Sequence, residues 1–418
     1  MGETPRELDI VVYGATGFVG KLTAQYLARA ETGARIGLAG RSAERLRAVR
    51  DGLGDGAQDW PVLIADASEP STLDAMAART RVVISTVGPY TRYGLPLVAA
   101  CAAAGTDYAD LAGEAMFIRN SIDLHHKQAV DTGARIVHAC GFDSIPSDLS
   151  VYALYRKAHE DDTGDLADTD FVVRNFSGGF SGGTLASLME VLRTASTDPE
   201  ARRLLNDPYT LSGDRGAEPE LGPQPDLPWR RGGEIAPELA GSWTAGFAMA
   251  VINTRIVRRS NMLLDWAYGR RLRYAEHMSV GSSIAAPAVS ALVTATGNTV
   301  VGLGGRFFRF LPRRLVERVA PKPGTGPGEA RREHGYYHTE TYTTTTTGAR
   351  YLASMAQRGD PGYQATSVLL GESALALALD RDKLSALTGV LTPAAAMGDA
   401  LLARFMDAGV TLDITRLG

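Results

Sequence analysis

Two cysteines, Cys101 and Cys140, are all that 418 residues contain, too few for a disulfide framework. Both fall in stretches that read as buried helix and strand, so free core thiols and a reducing compartment are expected. An excess of one charge is missing as well. The 43 basic and 47 acidic side chains leave a net charge of -4, which points away from nucleic acid as a partner. With 44% hydrophobic and 22% charged residues, the chain is not of a disordered type either. No secretion leader is expected, since Glu3, Glu7 and Asp9 run straight into an apolar strand, and a cytoplasmic protein is expected. No stretch reads as a good membrane span. The best, Ile284–Gly305, is dominated by Ala, Ser, Thr and Gly, with Pro287 near its start and Asn298 within it, and suits a buried or surface-lying segment. Metal chemistry lacks support, because His125 and His126 stand without the spacing of zinc ligands.

What the chain does have is a strand that stops at a glycine-spaced turn, Gly14-Ala15-Thr16-Gly17-Phe18-Val19-Gly20. This spacing predicts a dinucleotide phosphate cradle. Gly14 permits the turn off the strand, Gly17 lets backbone approach the pyrophosphate, and Gly20 lets the next helix pack on the sheet. The N–H groups at that helix's start then face the phosphates. About 20 residues on, an NAD enzyme places an acid on the ribose hydroxyl. Here the second strand ends in Gly40-Arg41-Ser42 instead. Arg41 can fork onto a 2′-phosphate and Ser42 can donate a hydroxyl to it, which favours NADP(H) over NAD(H).

Short apolar runs recur at Ile10–Tyr13, Ile36–Ala39, Val62–Ala65, Val82–Thr86, Thr106–Ala109 and Arg135–Ala139, nearly all separated by helical stretches. They predict an α/β fold, a doubly wound (Rossmann) parallel sheet over residues 1–145. Ligands in such sheets lie beyond the strand C-termini, which selects the residues there. Asp66 either accepts from the adenine amino group or caps the helix before Pro70. Thr86, Val87, Gly88 and Pro89 should pass under the pyrophosphate and nicotinamide. Candidate proton donors are Tyr90, Tyr93, Asp143 and Ser144, with Glu114 and His138 behind them. The tyrosines serve equally well as packing and Asp143 and Asp148 as helix caps, so no single acid is identified.

The turn Gly14–Phe18, the segments Thr86–Tyr90 and Asp110–Glu114, and Gly141–Asp148 together resemble the saccharopine dehydrogenase-like oxidoreductases. Pro321–Pro327, Glu340–Arg350 and Leu391–Asp399 narrow the resemblance to the mycobacterial trans-acting enoyl reductases of phthiocerol-type lipid synthesis. The resemblance implies NADPH-dependent reduction of a carbon–carbon double bond in a polyketide-derived acyl thioester, presented by an acyl carrier domain. An imine reductase of the saccharopine type would need clustered cations at the interdomain doorway, where Asp143 and Asp148 stand instead. A nucleotide-binding, lipid-associated protein without turnover remains open. The Tyr-x-x-x-Lys pair of short-chain dehydrogenases is absent, Tyr152-x-x-x-Arg156 being the nearest approach.

Residues 146–390 are expected to form a mixed α+β substrate domain that also carries any homodimer contact. Phe171–Phe176, Tyr336–Tyr342, Thr343–Met355 and Val410–Ile414 read as strands, and Ala186–Ala195, Thr366–Leu379 and Pro393–Met406 as helices. The Pro- and Gly-rich stretch Asp207–Gly241 reads as an irregular functional excursion, with Trp229 and Trp243 at its arms either lining an apolar pocket or packing at the surface. Arginines crowd the next region, from Arg255, Arg258 and Arg259 to Arg306, Arg309, Arg313, Arg314 and Arg318. Read with Phe307, Phe308, Phe310 and Leu311, they suit a docking surface for an acidic carrier domain or a peripheral membrane contact. The resemblance places the tail, 391–418, back against the nucleotide domain.

Overall fold

The computed structural model describes residues 6–177, 194, 197–302, 328 and 332–418. Its first sheet grows from the runs expected. Strands β1 (Leu8–Tyr13), β2 (Ile36–Gly40), β3 (Val62–Ile64), β4 (Thr80–Ser85), β5 (Asp107–Asp110) and β6 (Arg135–Val137) alternate with helices α1 (Phe18–Arg29), α2 (Ala43–Asp51), α3 (Pro70–Arg79), α4 (Tyr90–Ala104) and α5 (Ala115–Thr132). Helix α6 (Ile145–Glu160) then leads out of the sheet. A last strand, β12 (Gly389–Leu391), comes from far along the chain and pairs with β6. All the pairings are parallel. Because both faces are covered, β1 and β4 are buried almost throughout. The order is β12-β6-β5-β4-β1-β2-β3, so the chain reverses direction between β1 and β4 and opens a crevice there.

The return to this sheet begins earlier than the expected boundary at 391. The helix Thr366–Leu379 lies against α1, β1, β4 and β5. Gly371 makes this possible: a Cβ there would meet the Tyr26 ring at 2.6 Å. Tyr26 donates to Glu372, which also takes Arg404 at 3.1 Å from the terminal helix Pro393–Asp407.

The second sheet is built from β7 (Leu166–Ser177), β8 (Trp243–Gly246), β9 (Arg273–Gly281), β10 (Tyr336–Thr345), β11 (Arg350–Arg358) and β13 (Thr411–Leu417). Its order is β13-β11-β10-β7-β9-β8, with β7 and β9 parallel and the other pairs antiparallel. The threonine run forms one strand, β10, and turns at 346–349 into β11. The expected break between Tyr342 and Thr343 is therefore displaced, because Gly348 supplies the left-handed φ of +89° that the turn needs. The last strand, β13, edges this second sheet beside β11 and not the nucleotide domain. Helix Ala250–Leu263 packs between α6 and β9 and joins the two halves into one core.

Three further expectations change or fall outside view. Arg255, Arg258 and Arg259, read as part of a cationic surface, are 1%, 4% and 2% exposed. They point inward and donate to the chain that precedes them: Arg255 to Asp226 at 2.8 Å and to Leu205 O, Arg258 to Pro208 O and Gln224, Arg259 to Leu211 O. Trp229 and Trp243 stack on each other at 5.8 Å, and Trp229, half exposed, donates to Ser290 at 2.8 Å, which is surface packing. Residues 186–193, 306–318 and 321–327 lie outside the described ones, and with them most of the expected helix and the carrier-docking surface. Among the described residues no helix is long and apolar enough to cross a membrane. The helix Ala286–Gly302 lies at the surface, with Ile284 before it and Val289 and Leu292 on it exposed.

Candidate active site

The turn after β1 has the geometry of an anion cradle. Gly14 sits at φ +87°, and its N–H donates to Ala39 O at 2.9 Å while its carbonyl takes Gly17 N–H at 2.8 Å. A Cβ on Gly20 would stand 2.3 Å from Gly14 O and 2.7 Å from Thr86 Oγ1, and one on Gly14 would strike Thr86 and Val87. These two glycines are demanded by the protein's own packing. Gly17 differs, since a Cβ there meets only Gly14 O, at 3.2 Å. Its small size leaves room outside the chain, where a pyrophosphate would lie. Gly17 is also the N-cap of α1, with no side chain capping the helix, so its first N–H groups are available to an anion.

Ala15 is buried, Thr16 exposed, and Phe18 packs edge-on against Tyr363 at 4.8 Å, so it ties the cradle to the second half of the chain. Gly40 accepts Ala65 N–H at its carbonyl. Arg41 is exposed just beyond β2. It is close enough to Asp66 to help hold that carboxyl below its usual range, behind the larger effect of Ser68, whose N–H and hydroxyl both donate to Asp66. Asp66 thus closes a small turn before Pro70, and Glu69 takes the N-cap position. Ser42 caps α2 by accepting Arg45 N–H at 3.4 Å, which leaves its proton free to be donated outward. An exposed guanidinium, a hydroxyl and an uncapped helix start around one rim fit the 2′-phosphate and pyrophosphate of NADP(H).

The loop after β4 crosses the same mouth. Thr86 donates to Tyr13 O and Gly14 O at 3.2 and 3.3 Å, and so braces the cradle from beneath. Val87 and Pro89 are partly exposed and Gly88 exposed, as a surface for a flat ring requires. Tyr90, expected among the proton donors, faces inward: it is 5% exposed, its hydroxyl donates to Ser85 O at 2.9 Å and accepts Leu111 N–H, and burial pushes it well above the ordinary tyrosine value. Tyr93 is partly exposed on the same helix, with the Arg92 guanidinium 5.1 Å from its ring centre. Asp143 is partly buried and Ser144 wholly buried, its hydroxyl donating to Asn253 at 2.8 Å. The structure therefore brings the cradle, Arg41 and Thr86 to one mouth, leaves Tyr93 partly exposed on α4, and turns Tyr90 and Ser144 into the protein.

Buried carboxylates beneath the mouth carry contacts that their motifs did not announce. Asp110 accepts from Tyr108, His138, Ala112 N–H and Ala139 N–H, all within 3.0 Å. His138 contacts Ser121 through its other nitrogen, so it serves this network and does not reach the crevice. Glu114 accepts from Tyr90 and Thr91. Asp148, on α6, takes Ser260 and Ala394 N–H and fastens the terminal helix; burial pushes its carboxyl up to about 7. The signal that these acids are internal was the strand or helix immediately beside each one, where both neighbours are apolar or small.

Residues 10–137 match the saccharopine dehydrogenase NADP-binding domain. A trans-acting enoyl reductase of Mycobacterium tuberculosis is 66% identical over 418 residues, and one of Mycobacterium ulcerans 65%, each alignment covering both chains completely. A second Mycobacterium tuberculosis chain is 74% identical over 417 residues, again with complete coverage. Among solved structures, apo saccharopine dehydrogenase (L-Glu forming) from Saccharomyces cerevisiae has the same fold, with a TM-score of 0.57 over 98% of this chain and 100% of its own at 14% identity.

Proposed function

We propose a function from one premise: the chain belongs to the trans-acting enoyl reductase family. On this reading it is an NADPH-dependent oxidoreductase that saturates a carbon–carbon double bond in an acyl thioester. The observation that carries it is identity along the entire length, which takes in the nucleotide mouth and the second sheet together. Reduced nicotinamide bound at the mouth would supply the hydride for the β-carbon, and a proton at the α-carbon would complete the addition.

The chain's own groups divide the remaining work. The turn Gly14–Gly20 and the start of α1 hold the pyrophosphate, and Arg41 with Ser42 holds the 2′-phosphate. Val87, Gly88 and Pro89 floor the nicotinamide side. Of the four expected proton donors, Tyr93 is the one this reading selects, since it combines a hydroxyl with exposure at the start of α4. Asp143, partly buried after β6, is the alternative acid.

Acting in trans means that the acyl chain arrives on another protein, and an acyl carrier domain of a polyketide synthase is the presenter that fits. The apolar surface at Ile284, Val289 and Leu292 suits peripheral contact with a lipid surface by a cytoplasmic protein. The test is NADPH oxidation on an α,β-unsaturated carrier-bound acyl thioester, with mass analysis of the product. A gain of two hydrogens, slowed by Tyr93→Phe without loss of NADPH affinity, is the expected result. No oxidation on any enoyl thioester would sink the reading.

A further inference from the structure

We propose that Glu114 is a positioning residue for the nicotinamide half of the cofactor, acting through the first turn of α4. The proposal rests on NADPH binding at the mouth and is independent of the acyl substrate. Helix α4 starts after its N-cap Pro89, and no side chain at that N-cap satisfies its first N–H groups. Those groups turn instead to a residue of the next crossover. Tyr90 N–H donates to Glu114 Oε1 at 2.9 Å and Thr91 N–H to Oε2 at 2.7 Å, while the Thr91 hydroxyl also donates to Oε2. Glu114 is 0% exposed, so this ionic cap lies inside the protein at the positive end of a helix.

The loop Thr86–Pro89 is consequently held at two ends by different means. At its start Thr86 holds the carbonyls of Tyr13 and Gly14, which belong to the phosphate turn. At its end Glu114 holds Tyr90 and Thr91. Gly113, beside Glu114, faces Met249 of the second half, where a Cβ would come within 3.6 Å of the Met249 methyl carbon, Cε. A shift of the Glu114 segment would therefore move the far end of the loop Thr86–Pro89, the floor of the nicotinamide side, and leave the phosphate end in place. Glutamine is the informative replacement. Its amide offers one oxygen where two are in use and turns an NH2 group toward donors.

The experiment compares NADPH with 2′-phospho-ADP-ribose, the same nucleotide without its nicotinamide, by titration calorimetry on the full chain. Glu114→Gln should weaken NADPH about tenfold, the effect of one charge-assisted hydrogen bond, while changing 2′-phospho-ADP-ribose by less than about twofold. The fluorescence of bound NADPH should move toward that of the free cofactor. Thr86→Val should weaken both ligands alike. If Glu114→Gln affects both ligands equally, or neither, Glu114 is structural and the proposal falls. Should that variant not fold, Thr91→Val decides: the same ligand-selective loss at smaller amplitude supports the role, and an equal effect on both overturns it. Wild-type protein that never oxidises NADPH on an enoyl thioester would remove the proposed reaction and leave these binding outcomes unchanged.

Discussion

Arg41 stands exposed at the end of β2, whereas Arg259 lies 2% exposed where the two halves of the chain meet. Both are arginines that reach a strand end, and their situations are opposite. Around Arg41 the polar groups face outward: an uncapped helix start, the Ser42 hydroxyl and a glycine with room beside it. Around Arg259 they turn inside, where its two terminal nitrogens are in use and Nε has no hydrogen-bond partner. It donates to Leu211 O in the irregular excursion and to Val390 O in β12 at 2.6 Å, and thereby stitches two distant segments to one helix. Burial, together with the charge of Arg119, pushes Arg259 down to about 9. A binding site keeps hydrogen-bonding capacity for a ligand, and a junction leaves as little of it unused as the packing allows.

Removing each arginine sharpens that contrast, and the junction should show the largest effect. Arg259→Leu leaves the carbonyls of Leu211 and Val390 without their donor, and should lower stability by about 3 kcal/mol. Urea unfolding measures it, with NADPH affinity of the folded fraction as the control. A loss below about 1 kcal/mol would mean that Arg259 is no clamp.

Arg41→Ala should behave in the reverse way. Losing the contact to the 2′-phosphate weakens NADPH by about 1.5–3 kcal/mol, roughly ten- to a hundredfold, and leaves NADH affinity and stability unchanged. Titration of both nucleotides against wild type and variant decides it. Equal affinities of wild type for NADPH and NADH would assign Arg41 to solvent.

The third test concerns charge at the junction. Burial lifts Asp148 from 3.8 to about 7, so this acid supports the folded state while protonated. That contribution is complete below the unfolded value near 3.8 and is lost as pH rises through about 7. Asp148→Asn is neutral at every pH. Its stability relative to wild type should improve, by on the order of 2 kcal/mol, between about pH 5 and about pH 8. Denaturant midpoints across that window read the difference, and a pH-independent offset would show that Asp148 is ionised in the fold.

The sheet and its mouth were legible because their signals are local. Apolar runs, glycine spacing and the triplet Gly40-Arg41-Ser42 each report on a few neighbouring residues, and β1 to β6 formed where they indicated. The junction depends on contacts far apart in sequence. Nothing near residue 255 says that three arginines will turn inward, since the backbone carbonyls that take them lie 16 to 131 positions away. The same holds for β12 and β13, whose partners were set by tertiary pairing with β6 and β11. Within the site, Tyr90 and Tyr93 could not be told apart by type. They stand three residues apart on α4, and only the tertiary packing makes one buried and the other partly exposed.

The claim that this outward-facing mouth serves enoyl reduction is tested most directly by isotope transfer. NADPH carrying deuterium at the reactive C4 position is incubated in ordinary water with the protein and an α,β-unsaturated acyl thioester on its carrier. The product should contain one deuterium, at the β-carbon, and one hydrogen from solvent at the α-carbon. An acyl chain recovered without deuterium, or with the label at a carbonyl-derived or amine-bearing carbon, would contradict the account.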